Sequence, residues 1–225
     1  LNGSAAPIDM VNKPIVSGIT IKPEIKGNWV WDGANKIVFE PIENWKIGTD
    51  YKIELDKSVL ADHVKLRDKK ELAFTTTAFS LEIKDADYVI DDVNPNLKYI
   101  EFSIVSNFPM MEQDFASLVE INPVINARNG NVENRTYTAQ AFPDTDSDGK
   151  RVFFKSEVFG VPAKTIDVSL LVRKGVKCVY DDAVTKDSAR QTLVVNGSDT
   201  YGRITRIGGN FLLNDEQEYK QIITI

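Results

Sequence analysis

The sequence has 225 residues, a length that suits two small domains, since single domains cluster near about 100 to 150 residues. Apolar residues make up 42% and charged residues 27% of the chain, which excludes a disordered or fibrous protein. The net charge is −6, and lysine and arginine are scattered among acidic residues. The composition therefore predicts a folded protein that does not bind nucleic acid.

Neither a membrane-spanning segment nor a targeting segment is recognisable in the sequence. No run of 18 apolar residues is present, and the first residues lack the charged start and apolar core of a signal peptide. The chain begins at Leu1 and stops inside a strand-like run, Gln221 to Ile225. We therefore expect a fragment of a longer protein that does not itself insert into a membrane.

Alternation of apolar and polar residues, the pattern of a half-buried β-strand, recurs along the chain. The clearest runs, in chain order, are Trp29 to Trp31, Ile37 to Phe39, Tyr51 to Asp56, Leu81 to Ile83, Ile100 to Ile104 and Ile166 to Val172. Turn signals rich in Gly, Asn and Asp separate the runs. Short strands at this spacing predict an all-β protein, with tandem immunoglobulin-like antiparallel β-sandwich domains.

The domain boundaries are predicted from changes along the chain. The β-branched run Leu72 to Thr77 ends a first set of strands, and Phe79 begins a second set. We therefore expect an immunoglobulin-like sandwich at residues 1–78 and a second sandwich at residues 79–195. Residues 196–225 are too few for a third core, so we expect a linker and the first strands of a truncated following domain there.

An acidic segment resembles the first half of a calcium loop. Asp144, Asp146 and Asp148 stand at alternate positions before Gly149, where their oxygens can wrap a Ca²⁺ ion. The closing glutamate of such a loop is replaced by Lys155, and no helices are predicted beside the segment. The sequence favours an acidic hairpin tip, leaves calcium binding open, and predicts no metal site or cofactor.

Side chains suited to catalysis are scarce. His63 is the only histidine and Cys178 the only cysteine, which excludes a Ser-His-Asp triad, a His-based metal cluster and an intramolecular disulfide. The carboxylate pairs Asp91-Asp92 and Asp181-Asp182 are interpreted as turn residues, because adjacent strand residues point to opposite faces. No Gly-rich phosphate loop is present. The sequence therefore predicts a protein that is not an enzyme.

Trp29, Trp31 and Trp45 raise a second hypothesis, since exposed aromatic rings can stack on sugar rings. The sequence favours burial, because large aromatic side chains dominate the cores of small sandwiches. A cell-surface adhesion or glycan-binding module therefore stands as the alternative.

Four segments occur in an order that resembles the N-terminal region of bacterial alpha-2-macroglobulins. They are the Trp-rich strand Gly27 to Trp31, the run Ile37 to Pro41 with its Phe-Glu-Pro ending, Trp45 to Tyr51 with its Gly-Thr-x-Tyr ending, and the closing strand Phe74 to Thr76. Further along, Ile100 to Pro109 and then Asp114 to Ile121 resemble the repeated modules of the same family. The resemblance spans residues 7–195 and implies that the second sandwich, at residues 79–195, is macroglobulin-like.

The resemblance implies an exported protein of the periplasm or cell envelope, often lipid-anchored, that traps proteases when its bait region is cut. Trapping in that family depends on a Cys-x-Glu-Gln thioester, whereas Cys178 is followed by Val179-Tyr180-Asp181. The implied role is therefore a non-catalytic scaffold. Its partners would be neighbouring domains of the parent chain and, through the full-length protein, proteases.

Overall fold

The computed structural model describes residues 4–65, 72–124, 135–146, 148–200, 208–213 and 219–224. Within these ranges the chain forms fifteen strands and three short 3-10 helices. The strands are β1 (Pro14–Ile15), β2 (Ile19–Lys22), β3 (Gly27–Trp31), β4 (Ile37–Pro41), β5 (Asp50–Leu55), β6 (Leu72–Thr75), β7 (Leu81–Ile90), β8 (Lys98–Ser106), β9 (Val119–Val124), β10 (Ala139–Pro143), β11 (Arg151–Ser156), β12 (Ile166–Val172), β13 (Ala189–Val195), β14 (Gly208–Leu213) and β15 (Tyr219–Thr224). The 3-10 helices are Lys57–Val59, Phe115–Ser117 and Ser198–Thr200. None of the helices in these ranges is long and apolar enough to cross a membrane.

Two compact units interleave along the chain. Unit 1 comprises Leu1–Ser80, Asn107–Met111 and Lys177–Lys186, and unit 2 comprises Leu81–Ser106, Glu112–Val176 and Asp187–Ile225. The sequence-based division into residues 1–78, 79–195 and 196–225 stays a prediction.

Unit 1 contains two three-stranded antiparallel sheets, ordered β1-β3-β4 and β2-β5-β6. Its principal core cluster surrounds Trp31, which is completely buried against Ala5, Ala6, Val59 and Leu60. Val59 reaches this core from a 3-10 helix that begins after Asp56, whose carboxylate accepts a hydrogen bond from the N–H of Ser58 at 2.7 Å. Alternation along β3 therefore serves to bury its second tryptophan.

Unit 2 contains a four-stranded sheet, β10-β11-β8-β7, and a three-stranded sheet, β13-β12-β9, both antiparallel. Strand β12 alternates as predicted, and its buried residues are Ile166, Val168, Leu170 and Val172. On the other sheet the rings of Phe102 and Phe154 stack at 5.0 Å. The sheets contact each other where β7 meets β13. This arrangement confirms the predicted immunoglobulin-like, all-β fold.

Two local features precede strands of unit 2. The 3-10 helix Phe115–Ser117 precedes β9, and Asp114 caps it by accepting a hydrogen bond from the N–H of Ala116 at 3.1 Å. The acidic tip joins β10 to β11, which pair directly. Near the end of the chain, β14 and β15 form an antiparallel pair, and their assignment to a following domain stays a prediction.

Candidate functional site

Five aromatic rings form a continuous cluster in unit 1. Trp29 lies 4.7 Å from Phe39 between ring centroids, and Phe39 lies 5.5 Å from Trp45. Trp45 in turn meets Tyr51 and Phe74 edge-on at 4.9 and 5.1 Å. Tilted and edge-to-face geometries of this kind are favourable because they bring positive ring edges to negative ring faces. The cluster joins one ring or more from each of the four segments that resemble alpha-2-macroglobulins.

Strand register explains how these segments meet. Trp29 lies directly opposite Phe39 on the β3-β4 pair, and Tyr51 lies opposite Phe74 on the β5-β6 pair. The Phe39 ring covers Gly27 and leaves no room for a side chain there, because an added Cβ would stand 2.3 Å from Cζ of that ring. The glycine of the Trp-rich strand is therefore required by packing.

The loop between Trp45 and Tyr51 is fixed by polar contacts. The backbone N–H of Lys46 donates to the Tyr51 hydroxyl at 3.2 Å, and the Thr76 hydroxyl donates to the carbonyl of Lys46 at 2.6 Å. The N–H of Thr49 donates to the Thr76 hydroxyl at 2.9 Å. Gly48 adopts a φ of +59°, which glycine tolerates without steric strain. Each signature residue of this loop thus has a structural role.

A β-hairpin at residues 177–184 also belongs to unit 1. At its tip the N–H of Ala183 donates to the carbonyl of Tyr180 at 3.2 Å, and Asp181 and Asp182 have φ values of +57° and +51°. Two consecutive residues of positive φ are the requirement of a type I′ turn, which matches the twist of the flanking strands. The pair Asp181-Asp182 is therefore a turn, as predicted.

The segment Asn107–Met111 connects this hairpin to the closing strand of unit 1. The N–H of Val179 donates to the carbonyl of Pro109 at 3.0 Å. The Asn107 side chain donates to the carbonyl of Ala78 at 2.8 Å, and its Oδ1 accepts from the N–H of Ser80 at 3.0 Å. These hydrogen bonds fix the hairpin beside the end of β6.

A groove of about 670 Å³ lies between the 177–184 hairpin and the loop at residues 44–47, within the size range of small-molecule sites. Its walls include the rings of Trp45, Phe108 and Tyr180 and the polar side chains of Asn44, Thr77 and Asp181. Tyr180 is 50% exposed. We call this feature the hairpin groove.

The three tryptophans lie in different surroundings. Trp31 has no exposed surface, so the prediction of core packing is confirmed for it and it cannot serve as a sugar platform. Trp29 and Trp45 are half-buried in the ring cluster. Of these residues, Trp45 contributes to the hairpin groove.

The acidic tip does not assemble a cation site from its described residues. Asp144 accepts a hydrogen bond from the N–H of Asp146 at 3.0 Å, and Asp148 has a φ of +50°. Over the described ranges, no three His, Cys, Asp or Glu side chains converge on one point. The favoured interpretation of Asp144, Asp146 and Asp148 as a hairpin tip agrees with this geometry.

The other reactive side chains have structural surroundings. Cys178 is fully buried, and its Sγ accepts a hydrogen bond from the N–H of Tyr180 at 3.4 Å. His63 is exposed, with Nε2 at 3.3 Å from the carbonyl of Ser4. Asp91 accepts from the backbone N–H groups of Asn94 and Val93 at 2.9 and 3.0 Å, which lowers the pKa of its carboxyl group. Asp91 thus organises a turn, as predicted.

Sequence reasoning missed Phe108, Tyr180 and Asn44 as members of one site. The apolar pair Val179-Tyr180 before two aspartates signals an exposed turn. No local pattern, however, relates residue 44 to residue 180, because folding brings them together over a long stretch of chain.

Comparison with known proteins gives a consistent family. No family model matches the chain. It is 29% identical over 135 residues, 59% of its length, to an alpha-2-macroglobulin of Pasteurella multocida, and 34% identical over 108 residues, 48% of its length, to an alpha-2-macroglobulin homolog of Yersinia pestis. An alpha-2-macroglobulin of Rickettsia conorii is 21% identical over 229 aligned positions, 95% of the chain. The matches span 7%, 5% and 12% of these relatives, respectively.

The sheet topology and the motif-built ring cluster define an immunoglobulin-like, all-β segment of the kind from which multidomain proteins are assembled. The three similarities support the assignment of the chain as a fragment of a bacterial alpha-2-macroglobulin, in agreement with the resemblance found in the sequence.

Proposed function

We propose that this chain is a non-catalytic segment of an exported alpha-2-macroglobulin-like protease inhibitor and that it acts as a scaffold for protease trapping. The main support for the proposal is that residues of the four segments that resemble alpha-2-macroglobulins serve in packing and in contacts that hold a loop. Trp31 fills a core, while Trp45, Tyr51 and Thr76 connect a loop to the closing strand. Residues that build a rigid sandwich in this way contribute shape rather than chemistry.

Cys178 supports a role outside the covalent step of trapping. An internal thioester requires a glutamine side chain that acylates its cysteine, whereas Cys178 lacks the Glu-Gln sequence after it and lies in the packed interior of unit 1. Any bait region and thioester of the parent protein would therefore lie elsewhere in its chain. The names of the relatives support the proposal that the parent protein is a protease inhibitor. The missing Glu-Gln sequence after Cys178 supports the proposal that this chain acts as a scaffold.

We further propose that the parent protein resides in the periplasm or cell envelope, with a lipid anchor attached through a segment outside this chain. Fractionation of cells that express the parent protein tests this location. Recovery in the membrane fraction after osmotic release of soluble periplasmic proteins is expected, and recovery with a cytoplasmic marker would contradict it.

The test of the scaffold role uses the full-length parent protein incubated with trypsin. A trapped protease keeps its activity towards a small chromogenic peptide and loses it towards a large protein substrate. We expect Trp31→Ala, which empties the core of unit 1, to lower the trapped fraction. Phe153→Ala removes an exposed ring from unit 2 and serves as the matched control, with no expected loss.

Two results would overturn the proposal. One is an intact parent protein that traps no protease. The other is a Trp31→Ala protein in which unit 1 melts earlier while the trapped fraction stays at the wild-type level. Hydrolysis of a protein substrate by the chain alone would contradict its non-catalytic role.

A further inference from the structure

We propose that the hairpin groove of unit 1 binds an uncharged oligosaccharide, a ligand site separate from the scaffold role. The groove combines ring surfaces from Trp45, Phe108 and Tyr180 with polar side chains in a volume of about 670 Å³. Binding sites for small molecules are mostly apolar, with a few polar groups that fix orientation.

The Trp45 ring is held in place before a ligand arrives, and the backbone at Tyr180 is fixed by a turn. Trp45 is fixed by its edge-on contacts with Tyr51 and Phe74. Tyr180 stands at the first position of the turn that Asp181 and Asp182 complete. A ring that is already ordered loses little conformational entropy on binding, so stacking of a sugar ring on Trp45 is little offset by the ordering of its side chain.

The turn itself is maintained against a local conformational penalty. Asp181 and Asp182 both adopt the left-handed conformation, which costs about 1 to 2 kcal/mol for most residues with a side chain and less for aspartate. Non-glycine residues in this conformation cluster at ligand clamps and other functional sites. Here the conformation places the half-exposed Tyr180 ring and the Asp181 carboxylate beside the groove.

The polar groups of the groove can donate hydrogen bonds to the hydroxyl groups of a ligand and can also accept hydrogen bonds from them. Across the described part of the chain, the Asn44 amide, the Tyr180 hydroxyl and the Asp181 carboxylate make no side-chain hydrogen bond. The amide and the phenol can each donate and accept, and the carboxylate accepts. One cation, Lys46, and one anion, Asp181, line the groove, so its net charge favours an uncharged ligand.

A polypeptide strand is the competing occupant of this place. Addition of a strand requires unpaired backbone groups along a sheet edge, and β6 pairs with β5 alone among the described strands. On the β5 side, the N–H of Thr76 donates to the carbonyl of Thr49, and the carbonyl of Thr77 accepts from the N–H of Gly48, both at 3.0 Å. An uncharged peptide is therefore included in the experiment as the test of this alternative.

The experiment titrates the 225-residue chain with triacetylchitotriose, maltotriose and cellotriose, which are uncharged, and with an uncharged acetylated peptide of alternating valine and threonine. Calorimetry gives the affinity, and tryptophan fluorescence, to which Trp29, Trp31 and Trp45 all contribute, gives a second signal of binding. We expect at least one trisaccharide to bind with a Kd on the order of 1 mM or tighter. Tyr180→Ala should weaken that binding about tenfold or more, or 1.4 kcal/mol.

Phe153→Ala, which removes a similarly exposed ring from unit 2, is the control and should bind as the wild type does. Far-UV circular dichroism verifies that each variant is folded. Absence of binding by all three trisaccharides, binding that survives Tyr180→Ala, or preferential binding of the peptide would each overturn the proposal. Failure here is distinguishable from failure of the scaffold role, because protease trapping by the Tyr180→Ala parent protein should be unchanged.

Discussion

The hydroxyl oxygen of Tyr51 accepts a hydrogen bond from the backbone N–H of Lys46 at 3.2 Å. Tyr51 is itself 1% exposed and stacks on Phe74 at 5.3 Å between ring centroids. A single side chain thus fixes the loop that follows Trp45 and fills the space beneath the closing strand. This dual role explains why the signature ends in tyrosine rather than phenylalanine.

Tyr51→Phe should lower the free energy of unfolding by about 1 kcal/mol, with a range of about 0.5 to 1.5. The substitution keeps the ring contacts and removes the acceptor for the Lys46 N–H. Urea denaturation followed by tryptophan fluorescence measures the effect. Tyr99→Phe is the control, because the Tyr99 hydroxyl bonds to no residue in the described ranges. An equal loss in the two variants would contradict the role of the hydroxyl.

Trp31→Ala should destabilise unit 1 by about 3 to 5 kcal/mol, since it removes a completely buried ring and leaves a cavity. Trp29→Ala should cost less, because Trp29 is half-buried and its place can be reached by solvent. Trp31→Phe should recover much of the loss: the indole N–H of Trp31 has no hydrogen-bond partner among the described residues, so only volume is removed. Thermal unfolding of the three variants ranks them, and equal losses at Trp29 and Trp31 would contradict the assigned core.

Local alternation was enough to predict the fold. Val168, Leu170 and Val172 are buried with polar or less buried residues between them, because a strand places alternate side chains on opposite faces. Tyr51 was likewise expected on an inward face and is buried. Alternation along a strand determines which side chains share the buried face, whatever the order of the strands in the sheet. Predictions based on it are therefore confirmed by the structure.

The hairpin groove was beyond the reach of the sequence. Lys186 Nζ donates to the carbonyl of Gly48 at 3.4 Å across 138 positions of the chain, and no local pattern encodes such a pairing. The acidic turn at Asp181 was predicted, but not its position beside Trp45. Tryptophan burial was predicted for the group as a whole. Trp29 and Trp31 lie on the same face of β3, and only the packing of Ala5, Ala6, Val59 and Leu60 buries Trp31 completely.

Gly197→Ala should lower the free energy of unfolding by about 1 to 3 kcal/mol, the usual cost of adding a side-chain atom where no space is available. A Cβ at this position would stand 2.2 Å from the backbone carbonyl carbon of Lys164, and backbone cannot move aside as a flexible side chain can. Gly160→Ala is the matched control, since an added Cβ there meets nothing within 4 Å. It should be neutral or stabilise by about 0.4 to 1 kcal/mol. Urea denaturation compares the two, and similar midpoints would disprove the close approach.

Glu157 should make the stability of unit 2 depend on pH. Its Oε1 accepts from the backbone N–H of Thr138 at 3.0 Å, and its Oε2 pairs with Arg135. The hydrogen bond from Thr138 first, and then the positive charge of Arg135, hold the pKa of the Glu157 carboxyl below its usual value of 4.5. Because the pKa is lower in the folded state, the ionised carboxylate stabilises the fold above pH 4.5 and loses this effect as the pH falls through the folded-state pKa.

Glu157→Gln removes the ionisation and keeps the size of the side chain. Its free energy of unfolding should lie below that of the wild type at about pH 7 and approach it by about pH 3, because protonation cancels the contribution of Glu157 in the wild type. Urea denaturation at intervals between these pH values measures both proteins. Two curves that run parallel over the whole interval would show that the contacts of Glu157 with Thr138 and Arg135 do not couple its ionisation to folding.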